Sequence, residues 1–77
     1  MPSARIRSGD RLVFYTDGIT ESRNAAGDEY GEERLSDAAR RHRALPAQDM
    51  LAALLGEITA FNGGTYDDDA TLIIAAL

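Results

Sequence analysis

Two apolar runs limit what this chain can fold into. Leu12-Val13-Phe14-Tyr15 is unbroken by polar residues, and residues 72–77 close the chain as Leu-Ile-Ile-Ala-Ala-Leu. Runs of this length without alternation read as strands covered on both faces. Each run also adjoins acid. The first leads into Thr16-Asp17-Gly18-Ile19-Thr20-Glu21, and the second follows Asp67-Asp68-Asp69. If the two runs lie side by side in one sheet, their acidic ends converge. Carboxylates at the ends of rigid strands are well placed to hold a hard cation through oxygen ligands.

The absent residue types narrow the chemistry further. Of 77 residues none is Cys and one is His, which removes disulfides, thiolate metal sites and a Cys nucleophile. The eight basic residues are all Arg, so Schiff-base chemistry and a lysine-containing phosphate loop are excluded. Thirteen acids leave a net charge of −5, a poor footprint for nucleic acid, and no nucleic-acid partner is expected. No apolar run approaches the roughly 18 residues of a membrane span, and no hydrophobic signal region follows Met1. The expectations are therefore no membrane partner and a cytoplasmic location. A hydrophobic content of 44% with 27% charged residues suits a globular chain, and this length holds one small domain at most.

Local signals give the order of elements. Residues 4–7 alternate weakly, and Ser8-Gly9-Asp10 is a turn signal, so a hairpin with residues 11–16 is expected. Asp17-Gly18 ends that strand as a turn. Residues 22–30 are polar, with Asn24, Gly27 and Asp28 as turn formers, and read as a mobile surface loop. A helix begins near Gly31. Glu32 and Glu33 sit where its dipole favours anions, and Arg40, Arg41 and Arg43 where it favours cations. Its buried stripe is Leu35, Ala38, Ala39 and His42. Pro46 starts a second helix with Leu51, Leu54, Leu55, Ile58 and Phe61 as its stripe, and Asn62-Gly63-Gly64 stops it. The order is β-β-α-α-β, an α+β unit with an antiparallel sheet and two helices on one face. Such a two-layer unit leaves one sheet face open, for a second copy or another part of a larger protein to cover.

Taken singly, the acidic sites have plain readings. Asp-Gly is a common turn dipeptide, and an acidic cluster before a strand is often a solvated loop. Three adjacent acids nevertheless repel one another unless a cation or Arg offsets them. The turn and ligand readings both stay open on this ground. An EF-hand beginning at Asp17 fails, because Ile19 occupies the third ligand position and Ser22 the place of the turn Gly. A Ser-His-Asp triad has no support either, since His42 lies among Arg40, Arg41 and Arg43 on a helix. Tyr15, Tyr30 and Tyr66 read as packing residues.

Three segments carry a family resemblance. They are Gly9-Asp10-Arg11-Leu12-Val13-Phe14-Tyr15-Thr16-Asp17-Gly18-Ile19-Thr20-Glu21, Tyr30-Gly31-Glu32-Glu33-Arg34-Leu35, and Asp68-Asp69-Ala70-Thr71-Leu72-Ile73-Ile74. Together they resemble the SpoIIE-type branch of the metal-dependent, type 2C-like protein phosphatases. The resemblance covers essentially all of this chain and only the C-terminal part of the family domain. It implies that residues 1–77 are one partial domain, a fragment of an α/β/β/α phosphatase sandwich. It implies hydrolysis of phosphoserine and phosphothreonine in a protein substrate, with two Mn²⁺ or Mg²⁺ ions held by carboxylates and a metal-activated water as the nucleophile.

By motif match Asp17 is a metal ligand, and Asp68 is the ligand of the closing motif. Asp69 takes an ordering position or the metal itself, and Asp67 is an extra acid that leaves a one-residue shift open. Residues 21–30 match a variable loop beside the cleft, where Glu21, Asn24 and Gly27 are expected to influence substrate access. The family's earlier metal-binding Asp-Gly pair has no counterpart here. The expectation is weak metal affinity and little phosphatase activity from this chain alone. Its expected partners are the missing N-terminal half or a second copy in a homodimer. The alternative is a non-catalytic self-assembling or protein-interaction module of the same fold.

Overall fold

The structure, a computed structural model, describes residues 3–66 and 70–76. Strands β1 (Ser3–Ser8) and β2 (Arg11–Thr16) form an antiparallel hairpin, in register from Ser3 opposite Thr16 to Ser8 opposite Arg11. Gly9 opens the two-residue turn at φ 60°, a region that a Cβ disfavours and that hairpin turns of this kind demand at their first central position. A single helical turn, α1 (Asp17–Thr20), follows β2. Helices α2 (Gly31–His42) and α3 (Ala47–Asn62) come next, then β3 (Leu72–Ala76). β3 returns antiparallel to β2 with Ile73 opposite Phe14, so β2 is the central strand of a three-stranded sheet. This is the β-β-α-α-β order expected from the sequence, with α1 added. None of the helices among the described residues is long and apolar enough to cross a membrane.

The helices pack on one face of the sheet. Val13 is fully buried with Ala38, Ala39, Met50 and Leu54, while Tyr15 is buried with Ile19, Tyr30, Leu35 and Ile58. The α2 stripe matches the sequence pattern, with Leu35, Ala38 and Ala39 buried and His42 half-buried. The α3 stripe is rotated from the one expected. Met50, Leu54, Ile58 and Asn62 are buried, Leu51 is half-buried, and Leu55 is exposed. Leu51 and Leu55 each lie one residue beyond the buried line, about 100° further round the helix. Pro46 caps the N-terminus of α3, and Gly63 ends it in the left-handed region at φ 70°. Asn62 Oδ1 accepts from the Gly64 amide at 2.7 Å, which secures the stop.

The strands expected to be covered on both faces are covered on one. Leu12 and Phe14 are half-buried on the opposite face, and Ile73, across from Phe14, is 55% exposed. Arg7 and Arg5 lie across from the same two residues on β1. A chain that supplies helices for only one layer leaves the alternate side chains of every strand uncovered.

Residues 22–30 form a surface loop that is closed on itself. Its end residues Ser22 and Tyr30 are both buried, and the Tyr30 amide donates to the Ser22 carbonyl at 2.8 Å. Arg23 and Glu29 pair across it as a β-bridge. Asn24 Oδ1 accepts from the amides of Ala26 at 3.0 Å and Asp28 at 2.9 Å. The turn chemistry read from Asn24, Gly27 and Asp28 is thus present, and it is organised around one amide side chain.

Candidate metal centre

The site is built at the C-terminal end of the central strand. Asp17 leaves β2 as the first residue of α1 and is half-buried. Where a simple turn was expected after the strand, Thr16 sits extended at φ −103° and ψ 167° as the helix N-cap. The Glu21 amide then closes the helical turn on the Asp17 carbonyl at 2.8 Å. Two contacts fix this turn in place. The Ile19 side chain is buried in the core beside Tyr15, and the buried Ser22 hydroxyl donates to the Ile19 carbonyl at 2.8 Å. That hydroxyl satisfies one of the carbonyls a helix end leaves without an internal partner. Ser22, read from sequence as a loop residue, is therefore part of the support beneath Asp17.

The closing strand meets the same point. The Thr16 amide donates to the Thr71 carbonyl at 3.1 Å, and the Thr71 amide donates to Thr16 Oγ1 at 2.9 Å. Thr16 directly precedes Asp17, and Thr71 follows Asp69 by two positions. Asp67, Asp68 and Asp69 themselves lie outside the described residues. What the fold brings together is the chain on either side of the two acidic motifs.

The charge environment of Asp17 suits a cation. Asp37 is paired with Arg40 and Arg41, Glu57 with Arg41 and His42, and Glu29 with Arg23. Asp17 has no basic partner among the described residues. A half-buried carboxylate without a protein cation is a chemically fitting ligand for a hard divalent ion. Among the described residues no three His, Cys, Asp or Glu side chains gather into a ligand group, so a complete site needs further donors.

Tyr15 and Glu32 add a feature that sequence spacing did not signal. Burial pushes the Tyr15 phenol up to about 12, assisted by the neighbouring Glu32 carboxylate and by the charge of Asp17. The phenol therefore stays protonated at neutral pH as a donor facing Glu32. Glu32 belongs to the first turn of α2, which the fold sets against the end of β2. Of the three residues expected at the access loop, Glu21 is exposed at the C-cap of α1, one helical turn after Asp17. Asn24 and Gly27 instead build the loop, Gly27 at φ 87° with its amide on the Asn24 carbonyl at 3.0 Å. His42 lies in the ion-pair network between α2 and α3, with Nε2 2.5 Å from Glu57 Oε2.

A sheet backed by helices on one side, with an acidic motif at the end of its central strand, defines this chain as a small α+β unit. The family model described as Stage II sporulation protein E (SpoIIE) matches residues 3–77. The chain belongs to the SpoIIE family. No curated protein and no solved structure matches it.

Proposed function

We propose that this chain supplies one side of a divalent-metal-dependent protein serine/threonine phosphatase site, with Asp17 and Asp68 as metal ligands and Asp69 ordering them. The observation that carries this is the two-way hydrogen bonding between Thr16 and Thr71, which joins the segments leading to both acids. Membership of the SpoIIE family supports the same reaction class. Bound Mn²⁺ or Mg²⁺ would neutralise phosphoryl oxygens and activate a water.

The chain's own residues have separate tasks. Asp17 presents carboxylate oxygens from a rigid strand end. Ser22 and Ile19 hold α1, so the Asp17 backbone does not swing away from the site. Glu21 stands at the rim, where a phosphoprotein segment would approach. Two acids leave each ion with few protein ligands, so metal affinity is weak and full activity belongs to a completed domain in the cytoplasm.

Two measurements test this. Mn²⁺ binding followed by calorimetry is expected to weaken when Asp17 and Asp68 are both replaced by Asn, and unchanged binding overturns the ligand assignment. Hydrolysis of an aryl phosphate at saturating Mn²⁺ is then compared for the chain and its Asp17→Asn variant. Turnover lost in the variant means that these residues assemble a working site among themselves. Turnover in neither means that the chemistry requires the rest of the domain.

A second reading is a self-assembling module of the same fold. The exposed Ile73 beside Phe14 on the open sheet face favours it. Both readings hold together, because a chain that pairs through this face keeps its acidic strand ends.

A further inference from the structure

The loop of residues 22–30 returns to its starting point beside α1, and a side chain of α2 holds its far end. A terminal nitrogen of Arg34 donates to the Glu29 carbonyl at 2.6 Å and to the Tyr30 carbonyl at 3.2 Å. The Arg34 guanidinium carbon lies 4.6 Å from the Phe61 ring centroid, within cation–π range. The Phe61 ring in turn meets the Tyr30 ring edge to face, with centroids 5.3 Å apart. Arg23, Arg40 and Arg41 are paired with carboxylates. Arg34 has no carboxylate partner among the described residues, and its bonds go to the end of the loop and its flat face to α3.

Two links carry this anchoring to the strand-end acid. The first is a chain of hydrogen bonds. The Tyr30 amide donates to the Ser22 carbonyl at 2.8 Å, and the Ser22 hydroxyl donates to the Ile19 carbonyl at 2.8 Å. Ile19 lies two residues after Asp17 in the same helical turn. The second is packing. The Tyr30 and Ile19 side chains belong to one buried cluster, and Phe61 packs against it. A helix of four residues is too short to be stable by its own hydrogen bonds, so contacts from outside set where α1 stands.

We propose that Arg34 is a positioning residue for Asp17, acting through the loop of residues 22–30 on α1. This deepens the metal-centre reading and rests on it only in taking Asp17 as a ligand. The planar fork of the guanidinium is what the arrangement uses. It bonds two carbonyls while lying against a ring, which the point charge of a lysine does not reproduce.

Backbone ¹⁵N relaxation of the full chain reads the order of α1 without any metal. Arg34→Met keeps an apolar stem and removes the guanidinium. In this variant the amide order parameters of residues 18–21 are expected to fall from the rigid range of about 0.85 towards about 0.6. Those of Leu54 and Ile58 in α3 are expected to stay at parental values. Arg34→Lys is expected to give a smaller loss at the same residues. Mn²⁺ affinity in calorimetry is expected to fall severalfold in Arg34→Met, and Asp17→Asn serves as the control for the ligand assignment. If Asp17→Asn weakens Mn²⁺ binding and Arg34→Met binds like the parent, the positioning role is overturned. If binding does not depend on Asp17, the ligand assignment fails by itself, and the order of residues 18–21 alone decides for or against Arg34. Parental order in α1 overturns the proposal. Equal loosening of α1 and α3 overturns it too, because that is a general loss of packing.

Discussion

Thr16 and Thr71 are 55 positions apart and hold each other from both directions, amide to carbonyl at 3.1 Å and amide to hydroxyl at 2.9 Å. The pair lies at the exit of the central strand, where Asp17 begins α1. It continues the β2–β3 ladder by one step beyond Tyr15 opposite Leu72. One of its bonds runs through the Thr16 side chain, so substitution at Thr16 tests it.

Thr16→Val keeps the branched shape and strand propensity and removes Oγ1. The Thr71 amide then loses its acceptor, at a cost of about 1 kcal/mol in urea unfolding. Mn²⁺ affinity is expected to fall severalfold in calorimetry, with Thr16→Ser retaining both properties. A Thr16→Val chain with parental stability and parental metal affinity shows that this pair does not position the site.

The Tyr15 phenol gives a pH signature. Its folded value of about 12 lies above the ordinary 10.0, chiefly from burial. An unfolded chain releases this proton first, so between those values the folded state binds more protons. The stabilisation is fully present below about pH 10 and is lost as pH rises towards 12. Tyr30 is raised in the same direction by burial, so only the difference between parent and variant isolates Tyr15. Urea unfolding from pH 9 to 12 is expected to show a shallower decline for Tyr15→Phe. Parallel curves overturn the assignment.

Some of this architecture is legible in the sequence because its cause is local. Gly9 and Gly63 mark positive-φ positions, and Pro46 marks a helix start. Leu35, Ala38 and Ala39 trace one side of a helix. Other features depend on residues far apart in the chain. Asp17-Gly18 carries ordinary turn propensity, and it becomes a helical turn because Ile19 enters the core and Ser22 bonds its carbonyl. Leu12 and Phe14 look two-sided because an apolar run records hydrophobicity and not how many layers exist to cover it. Leu55 matches helical spacing as well as Met50 does, and only the packing of α3 against β3 and the Val13 side chain selects Met50. Of the acidic site, Asp17 and its strand end were readable. The Thr16–Thr71 pairing and the approach of Glu32 to Tyr15 were not, because both follow from tertiary packing.

Glu57 ties α3 to the end of α2. Its carboxylate accepts from Arg41 at 2.7 and 3.0 Å and faces His42 Nε2. The Arg41 hydrogen bonds, then His42, hold its carboxyl below the ordinary 4.5 against the opposing effect of burial. The folded state therefore favours the ionised form. This stability is present above the ordinary value and is lost as pH falls through the depressed one. The side chain is 33% exposed, so solvent screening limits the gain. Glu57→Gln is expected to lower stability by about 0.5–1 kcal/mol at pH 7, or a few degrees in Tm. The gap should close as pH falls below the ordinary 4.5 and through the depressed value. A gap independent of pH shows that packing, and not the charge pair, sets the effect.

The open sheet face gives the last prediction. Ile73 is 55% exposed beside half-buried Phe14, with Leu12 and Ala75 forming the next pair across the same face. Covering side chains of this kind gains on the order of 1 kcal/mol each, and several together drive association. Light scattering at high micromolar concentration is expected to give the mass of a dimer, and Ile73→Asp the mass of a monomer. Because Ile73 already faces solvent, the substitution should leave urea unfolding of the monomer within about 0.5 kcal/mol of the parent. This separates an effect on association from an effect on folding. A parent chain that stays monomeric at the same concentration removes the self-assembly reading, and the face is then left for the remainder of a larger domain to cover.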